Sequence, residues 1–424
     1  MGNGNRTKVC IIGAGPAGLM AAIHSAALRA ETVVLEANAN AGRKLLLTGN
    51  GRCNFTHRGC ADELAKAFGS KGKFLRHCFY KFSPESVRHF FEESGLKSKV
   101  EDNGCVFPVS DRASDVRDVL LNEAHRLGVR FILSRRVESI AKQGQNFVVG
   151  NAGQVILAEK VIIATGGLSY PETGSTGDGY RFACRLGHTV VQPRASLVAL
   201  VTLEKWPSEL AGTSLDNVKI TALVGKKKIV TAGAMLFTHD GISGPAVLEL
   251  SRFVTDFLPN EKHPIKIAID LVTVSNEAEL QKMIIRQIDE HPKKTVANVL
   301  AEIVPRRVSQ VLCRQHNVST ELSANQLSKD LRKKLLHFLK AVPFSIVRTR
   351  PIAEAMVTRG GVNVTEVEPK TMESKICPGL YFAGEILDVD GPCGGYNLQM
   401  CWSAGALAGF SAGQNKPHVR RGAK

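Results

Sequence analysis

The sequence predicts an α/β protein: a discontinuous domain of Rossmann type assembled from both ends of the chain, interrupted by an inserted β-barrel-like unit and a small helical subdomain. Three observations predict it. The N-terminus runs from an apolar strand through a G-x-G-x-x-G turn into a helix. A second apolar strand, Val161–Ile163, runs into Ala164-Thr-Gly-Gly167. The middle of the chain is strand-rich and then helix-rich, after which a last apolar strand and glycine turn, Gly379–Glu385, return to the first pattern. The expected boundaries are 1–192 with 344–424 for the Rossmann-type domain, 193–275 for the inserted β unit and 276–343 for the helical subdomain.

The first motif is informative because of its setting. Lys8–Ile12 is of strand type, Gly13-Ala-Gly15-Pro-Ala17-Gly18 follows at once, and Leu19–Leu28 is rich in helix formers. Thr32–Leu35 is a second strand, and it ends on an acid, Glu36, eighteen residues beyond Gly18. In a dinucleotide site Gly13 permits the tight turn, Gly15 lets a pyrophosphate approach the backbone, and Gly18 lets helix and strand pack closely. The helix start at Ala17 and Gly18 offers free N–H groups and a partial positive charge. Glu36, followed by Ala37, accepts hydrogen bonds from a ribose and disfavours a 2′-phosphate.

The next stretch selects FAD over NAD as the cofactor. Asn40-Ala-Gly-Arg43-Lys44 and Thr48-Gly49-Asn50-Gly51-Arg52-Cys53-Asn54 place glycines and cations just after the ribose-binding strand. In flavoproteins with this beginning, that stretch runs along the extended cofactor toward the ring. Arg43 and Lys44 either neutralise the pyrophosphate or form a solvated basic turn.

Five motifs in order resemble one family. They are Leu46–Thr56, Gly104–Ala113, Ala164–Tyr180, Leu236–Ala246 and Gly379–Gln399. Together they resemble the BaiN/RdsA-like family of NAD(P)/FAD-dependent oxidoreductases, the HI0933-like flavoproteins. The resemblance implies an FAD-binding fold with an inserted domain and reduction of conjugated C=C bonds. Activities in such families include reduction of unsaturated oxo-bile acids and of a uracil in large-subunit ribosomal RNA. It also implies that Val137 meets the adenine through its backbone. Met400-Cys401 departs from the pattern, since many relatives carry Trp-Ala there.

The remaining elements follow in order. Arg136–Ile140 reads as a strand. Thr165, Gly166 and Gly167 form the turn where a strand crosses the adenine side of the cofactor. Leu197–Thr202, Val218–Val224 and Ile265–Leu271 read as strands of the insert. Leu280–Ile288, Val296–Ile303 and Leu327–Leu339 carry apolar residues at helical spacing. Past Pro343 the chain is expected to rejoin the first domain. Gly384-Glu385 places an acid near the ribityl chain or pyrophosphate. Gly394-Gly395-Tyr396-Asn397 opens a helix aimed at the ring, where its dipole stabilises negative charge.

Composition bounds the rest. The formal charge of +16 favours an anionic partner such as nucleic acid, a membrane surface or a phosphorylated ligand. A generally basic composition is the plain alternative. The ten cysteines form no C-x-x-C pair and no zinc-type Cys/His spacing, so no metal site is expected. No run approaches the roughly 18–20 apolar residues of a membrane helix, and the short polar start lacks a signal-peptide core. A cytoplasmic protein without stable membrane association is expected.

Reduction of a conjugated C=C bond also needs a proton donor. Cys53, in the turn heading for the ring, is the first candidate; the alternative is a packing residue. Cys393, before the glycine pair, is the second; Tyr170 and Tyr396 are candidates to donate a hydrogen bond to the carbonyl, and His239 is either a pocket residue of the inserted unit or a structural histidine. No second G-x-G-x-x-G marks a resident nicotinamide, so NAD(P)H as electron donor stays open. The substrate is either ribosomal RNA or a small-molecule enone such as an unsaturated oxo-steroid or bile acid; a flavin-binding protein without turnover is the third reading. Lys293, Lys294, Arg306, Arg307, Arg314, Lys329, Arg332, Lys333, Lys334 and the tail Lys416–Lys424 could grip RNA phosphates or form a solvated face.

Overall fold

The computed structural model describes residues 6–151, 154–258, 263–273 and 276–414, so the basic tail named above lies outside the described residues. The chain divides into two compact units, Met1–Arg194 with Val357–Lys424, and Ala195–Met356.

The first unit is built on a seven-stranded sheet. Its central strands are apolar runs that a two-faced core requires: Val9–Ile12, Val33–Leu35 and Val161–Ile163 are all buried. Arg6–Ile12 pairs in parallel with Thr32–Leu35 on one side and with Gln154–Ile163 on the other. Arg130–Ile132 extends the first edge in parallel. Gln154–Ile163 is long enough to serve two further partners. Its first half forms an antiparallel ladder with Asn146–Asn151. Its second half also takes Leu380–Phe382 in parallel, with Leu380 opposite Val161. The last strand of the chain is therefore docked beside the first turn.

Two helices from opposite ends of the chain close against each other on this sheet. The close approach has a sequence cause. Gly405, Gly409 and Gly413 recur every four residues along the helix Tyr396–Gly413. A Cβ added at Gly405 would stand 2.4 Å from the Ala17 carbonyl oxygen, and one at Gly409 would stand 2.2 Å from that of Ala21. Helix Pro16–Ala27 lies where those methyl groups would be. Tyr396–Gly413 is consequently buried on nearly every side, with Trp402 donating its indole N–H to the Phe55 carbonyl at 2.7 Å.

The second unit is a closed antiparallel barrel. Its strand order is Leu200–Thr202, Gly241–Ser243, Lys227–Phe237, Ser214–Val224, Ile265–Asp270 and Val342–Thr349. Inward residues such as Ile220, Ile267 and Phe344 share one buried cluster with Leu280, Ile284 and Leu335 of the helices. The strands and helices expected as separate parts thus pack around a single core. The helices of the expected subdomain are Glu277–Glu290, Val296–Leu300, Arg306–Gln315 and Lys329–Lys340, and Pro245–Val254 packs into the same core.

The expected return at residue 344 is corrected to Val357. Val342–Thr349 closes the barrel by pairing with both Leu200–Thr202 and Ile265–Asp270. Pro343 reads as a break, but it is the second residue of that strand, where a missing N–H costs little. The strand expected over Arg136–Ile140 begins at Ser139, and Arg136–Glu138 is irregular.

Candidate functional site

Gly13, Gly15 and Gly18 separate by what surrounds them. Gly13 has φ +100°, and a Cβ there would meet the Ala164 carbonyl oxygen at 2.5 Å. A Cβ on Gly18 would meet the Gly13 carbonyl oxygen at 1.9 Å. Both glycines are required by the protein's own packing. Gly15 has an ordinary φ of −78°, and nothing lies within 4 Å of where its Cβ would stand. That glycine keeps a space open at the start of helix Pro16–Ala27, which carries no side-chain cap. A cleared, uncapped helix N-terminus fits a phosphate.

Gly384 joins this turn from the other end of the chain. Its Cβ would fall 2.7 Å from that of Ala17, and the Ala383 N–H donates to the Ile163 carbonyl. The two glycine turns therefore border one another, as the discontinuous domain requires.

Glu36 is buried at the end of its strand. The Ala14 N–H donates to Oε2 at 2.8 Å, and the Asn38 N–H and Nδ2 donate to Oε1 at 2.9 and 2.7 Å. Oε2 keeps a second lone pair for a ribose hydroxyl. Arg43 donates to Asn38 Oδ1 at 2.9 Å, so its guanidinium holds the residue that holds Glu36. The Arg135 N–H donates to the Glu36 carbonyl, and the Glu138 N–H to that of Gly150. Val137, between these anchors, is thereby carried to the end of the Glu36 strand.

Lys44 is placed differently from either expectation. Its ammonium donates to Glu385 Oε2 at 2.8 Å and to Ser169 Oγ at 2.6 Å. Glu385 Oε1 in turn accepts from Ser169 Oγ and from the Thr358 N–H, both at 2.8 Å. The Lys44 charge is matched within the protein. Thr358 Oγ1 accepts the N–H groups of Leu168 and Ser169 and fills the space a Cβ on Gly167 would need. Gly166 beside it has φ +72°.

The turn Thr48–Asn54 is a run of left-handed residues. Gly49, Asn50, Gly51 and Cys53 all have positive φ, and the Cys53 N–H closes back on the Thr48 carbonyl. The turn re-aims the chain, but it does not direct Arg52 at a cofactor. Arg52 lies over the Phe107 ring and pairs with Glu101 at 2.5 Å and Asp111 at 2.9 Å. That expectation is corrected: two carboxylates and an aromatic face already engage the guanidinium.

The helix Tyr396–Gly413 starts from Gly394 and Gly395, both left-handed, without a side-chain cap or an acid in its first turn. A Cβ on Gly395 would meet the Thr56 carbonyl oxygen at 2.3 Å. The Asn397 side chain is committed to the preceding loop: it accepts the Gly391 N–H and donates to the Gly391 and Pro392 carbonyls. Its backbone N–H, like that of Leu398, belongs to the first turn, which has no partner within the helix. The Tyr396 ring stacks on His57, with centroids 4.5 Å apart.

Among the described residues, Thr165 Oγ1 and the Tyr180 hydroxyl are buried without a protein partner. Buried hydroxyls nearly always find one. With the open Gly15 cradle and the uncapped helices, they fit a dinucleotide cofactor with a polar tail. His57, Ser169, Tyr180 and Thr358 join the site without having been expected there. Tyr180 ends the third of the five motifs, whereas Thr358 carries no sequence signal.

The proton-donor candidates are dispersed. Cys53 is fully buried, and burial pushes its thiol up to about 12. A thiol with no accessible surface cannot touch substrate, so the packing alternative replaces the catalytic one. Cys393 is exposed in the loop before Gly394. Tyr170 is half-buried in a left-handed conformation, and burial raises its phenol above the ordinary range. His239 belongs to the inserted unit, between Lys227–Phe237 and Gly241–Ser243, while Asp240 beside it pairs with Arg350 at 2.7 Å.

A pH experiment checks the burial of Cys53. Burial raises its thiol from about 9 to about 12, and that of Cys10 likewise. The unfolded chain loses these protons first, so the stability they contribute is complete below pH 9 and is lost as pH rises toward 12. Urea titrations from about pH 8 to about pH 10.5 should show that decline, and it should shrink in Cys53→Ala. That variant should lose about 1 kcal/mol of stability yet keep its turnover. A turnover loss at unchanged stability would return Cys53 to the catalytic candidates.

The family model described as HI0933-like protein Rossmann domain matches residues 7–411. The chain is 33% identical over 410 residues to a 3-dehydro-bile acid delta(4,6)-reductase of Clostridium scindens, covering 96% of this chain and 99% of that one. It is 33% identical over 407 residues to a ribosomal RNA dihydrouridine synthase of Haemophilus influenzae, covering 95% and 97%. Among solved structures, it resembles a 3-ketosteroid delta1-dehydrogenase from Sterolibacterium denitrificans with TM-score 0.54 and 12% identity, covering 96% and 99%. That last likeness is one of fold. No described helix is long and apolar enough to cross a membrane.

Proposed function

Because this chain belongs to the HI0933-like family of Rossmann-domain proteins, we propose that it is an FAD-dependent oxidoreductase that reduces a conjugated C=C bond, and that the bond lies in a uracil of large-subunit ribosomal RNA. Uracil and an unsaturated oxo-steroid pose one chemical problem: a hydride adds to the carbon β to a carbonyl, and a proton adds to the α carbon. Bound FAD supplies the hydride. NAD(P)H, docking without a resident site, restores the reducing equivalents.

In this reading Gly13 to Gly18 and the helix start at Ala17 bind the phosphates. Glu36, followed by Ala37, holds the ribose through its remaining lone pair, and Val137 meets the adenine. Thr165 to Gly167, Gly384 and the Lys44–Glu385 pair border the polar tail. Gly49 to Gly51 and Gly394 to Asn397 border the ring, where the first-turn N–H groups stabilise negative charge. Cys393 delivers the proton, and Tyr170 or Tyr396 donates a hydrogen bond to the carbonyl.

The net charge of +16 carries the choice of substrate. A steroid acid bears one negative charge and gains little from such an excess, whereas an RNA bears one per nucleotide. The target base would leave its stack to be reduced. Dihydrouridine mapping of ribosomal RNA from a strain lacking the gene is expected to show one site lost and restored on complementation. An unchanged map, together with reduction of an unsaturated oxo-bile acid by the pure protein, would replace RNA with the small-molecule reading.

A further inference from the structure

We infer that a lysine-tipped β-ribbon of the inserted unit is a contact surface for the phosphate backbone of RNA. This rests on the RNA reading above and extends it to residues outside the cofactor domain.

The ribbon is made by two eleven-residue strands, Ser214–Val224 and Lys227–Phe237, joined at Gly225-Lys226. Its ladder runs to the tip, with Leu223 opposite Lys228 and Val224 opposite Lys227. Pairing with the neighbouring strands stops short of the tip. Along the ribbon, Ile265–Asp270 pairs only at Lys219–Ala222, and Gly241–Ser243 only at Leu236–Phe237. Leu223 to Lys228 therefore runs on as two strands without a flanking strand.

The lysines at this tip do not serve the barrel, whereas Val224 beside them is buried in its core. Lys226, Lys227 and Lys228 are exposed, and none pairs with a carboxylate among the described residues. The cations of the helices are in part engaged within the protein. Lys294 pairs with Glu302 at 3.0 Å, Arg314 with Glu209 at 2.5 Å, and Arg307 donates to the Glu209 carbonyl. Beside the lysines, Leu223 is 66% exposed and Val230 is 47% exposed. Strand alternation puts Leu223, Lys228 and Val230 on the outer face together.

Three consecutive exposed lysines at a narrow tip match the spacing-tolerant demands of a phosphate chain, which lysine meets as a point charge. Two-stranded ribbons are established groove-binding elements. The wide, shallow minor groove of double-helical RNA would accept Leu223 and Val230 against its riboses. An anionic membrane would also attract such a tip, but it offers nothing to a uracil reductase.

The test uses the full FAD-loaded protein and a transcript of a helical large-subunit ribosomal RNA segment, with affinity measured from about 50 to about 300 mM salt. Each phosphate that is no longer neutralised lowers the slope of log K against log salt by about 0.7–0.9. A K226A/K227A/K228A variant is expected to lose about two units of slope and at least about tenfold in affinity near 150 mM salt, with flavin content and Tm unchanged. K226R/K227R/K228R should keep the wild-type slope. A salt-dependent wild type whose alanine variant keeps the full slope overturns the inference and leaves the RNA reading standing. A wild type that binds the transcript without salt dependence overturns both. A defect confined to phosphatidylglycerol vesicles assigns the ribbon to membranes and also overturns the inference.

Discussion

A Gly15→Ala variant should fold as the parent does and purify without FAD. Nothing lies within 4 Å of the added methyl, and the backbone at Gly15 is one alanine adopts freely. Among the described residues the methyl displaces nothing, so what it would meet is a group seated against the helix start, where free N–H groups and the helix dipole favour a phosphate. A loss of about 100-fold in FAD affinity is expected, equivalent to about 2.7 kcal/mol. Gly18→Ala adds the same methyl three residues later with the opposite consequence. There it meets the Gly13 carbonyl oxygen at 1.9 Å, so strand and helix must separate. That variant should lose about 3 kcal/mol or more, at the upper end for overpacked core substitutions because the clash is with backbone, or fail to accumulate. Visible absorbance reads the flavin and thermal unfolding reads the fold. A yellow Gly15→Ala protein of wild-type affinity would mean that the turn binds no phosphate.

Why these glycines were readable, and other residues not, has a physical basis. Strand, turn and helix are local, and a G-x-G-x-x-G between an apolar strand and a helix states its backbone geometry within one stretch of chain. The same holds for Gly384 and Gly394-Gly395. Half of the barrel was legible for the converse reason. Ser214–Val224 and Ile265–Asp270 alternate clearly, but Lys227–Phe237 opens on two lysines that a period-two reading places in a loop. Val342–Thr349 begins Val-Pro, and Gly241–Ser243 has three residues, too few for any pattern. At the site, Arg52 shows the limit. Its turn was read correctly, but Glu101, Asp111 and Phe107, all far along the chain, decide where the guanidinium goes. Thr358 caps the 167–169 turn from a distant downstream strand. Only a fold can place such partners.

Glu385→Ala is expected to be the most damaging substitution outside the glycine turns. One carboxylate joins four segments: Lys44 after the ribose strand, Ser169 after the central strand, Thr358 on the return strand, and its own turn. The pair with Lys44 is 19% and 13% exposed on its two sides, so the surface-pair discount applies only in part. Removing one partner of a largely buried pair strands the other. Here it leaves the Lys44 ammonium with Ser169 alone and the Thr358 N–H without an acceptor. A loss of about 3 kcal/mol is expected. Glu385→Gln should not rescue it, because an amide NH₂ would face the ammonium donor to donor. Replacing both charges should do better than replacing one. The Lys44→Met/Glu385→Gln double variant should be less destabilised than the sum of its singles by about 2 kcal/mol, the coupling a double-mutant cycle isolates. Urea unfolding of the four proteins supplies the cycle, and additive losses would show that the two charges stand near each other without stabilising the turn. FAD affinity separates the remaining roles. If Lys44 serves the phosphates through its charge, Lys44→Met should weaken FAD more than the double variant does, since the single leaves the Glu385 carboxylate unopposed beside the cofactor's own negative charge.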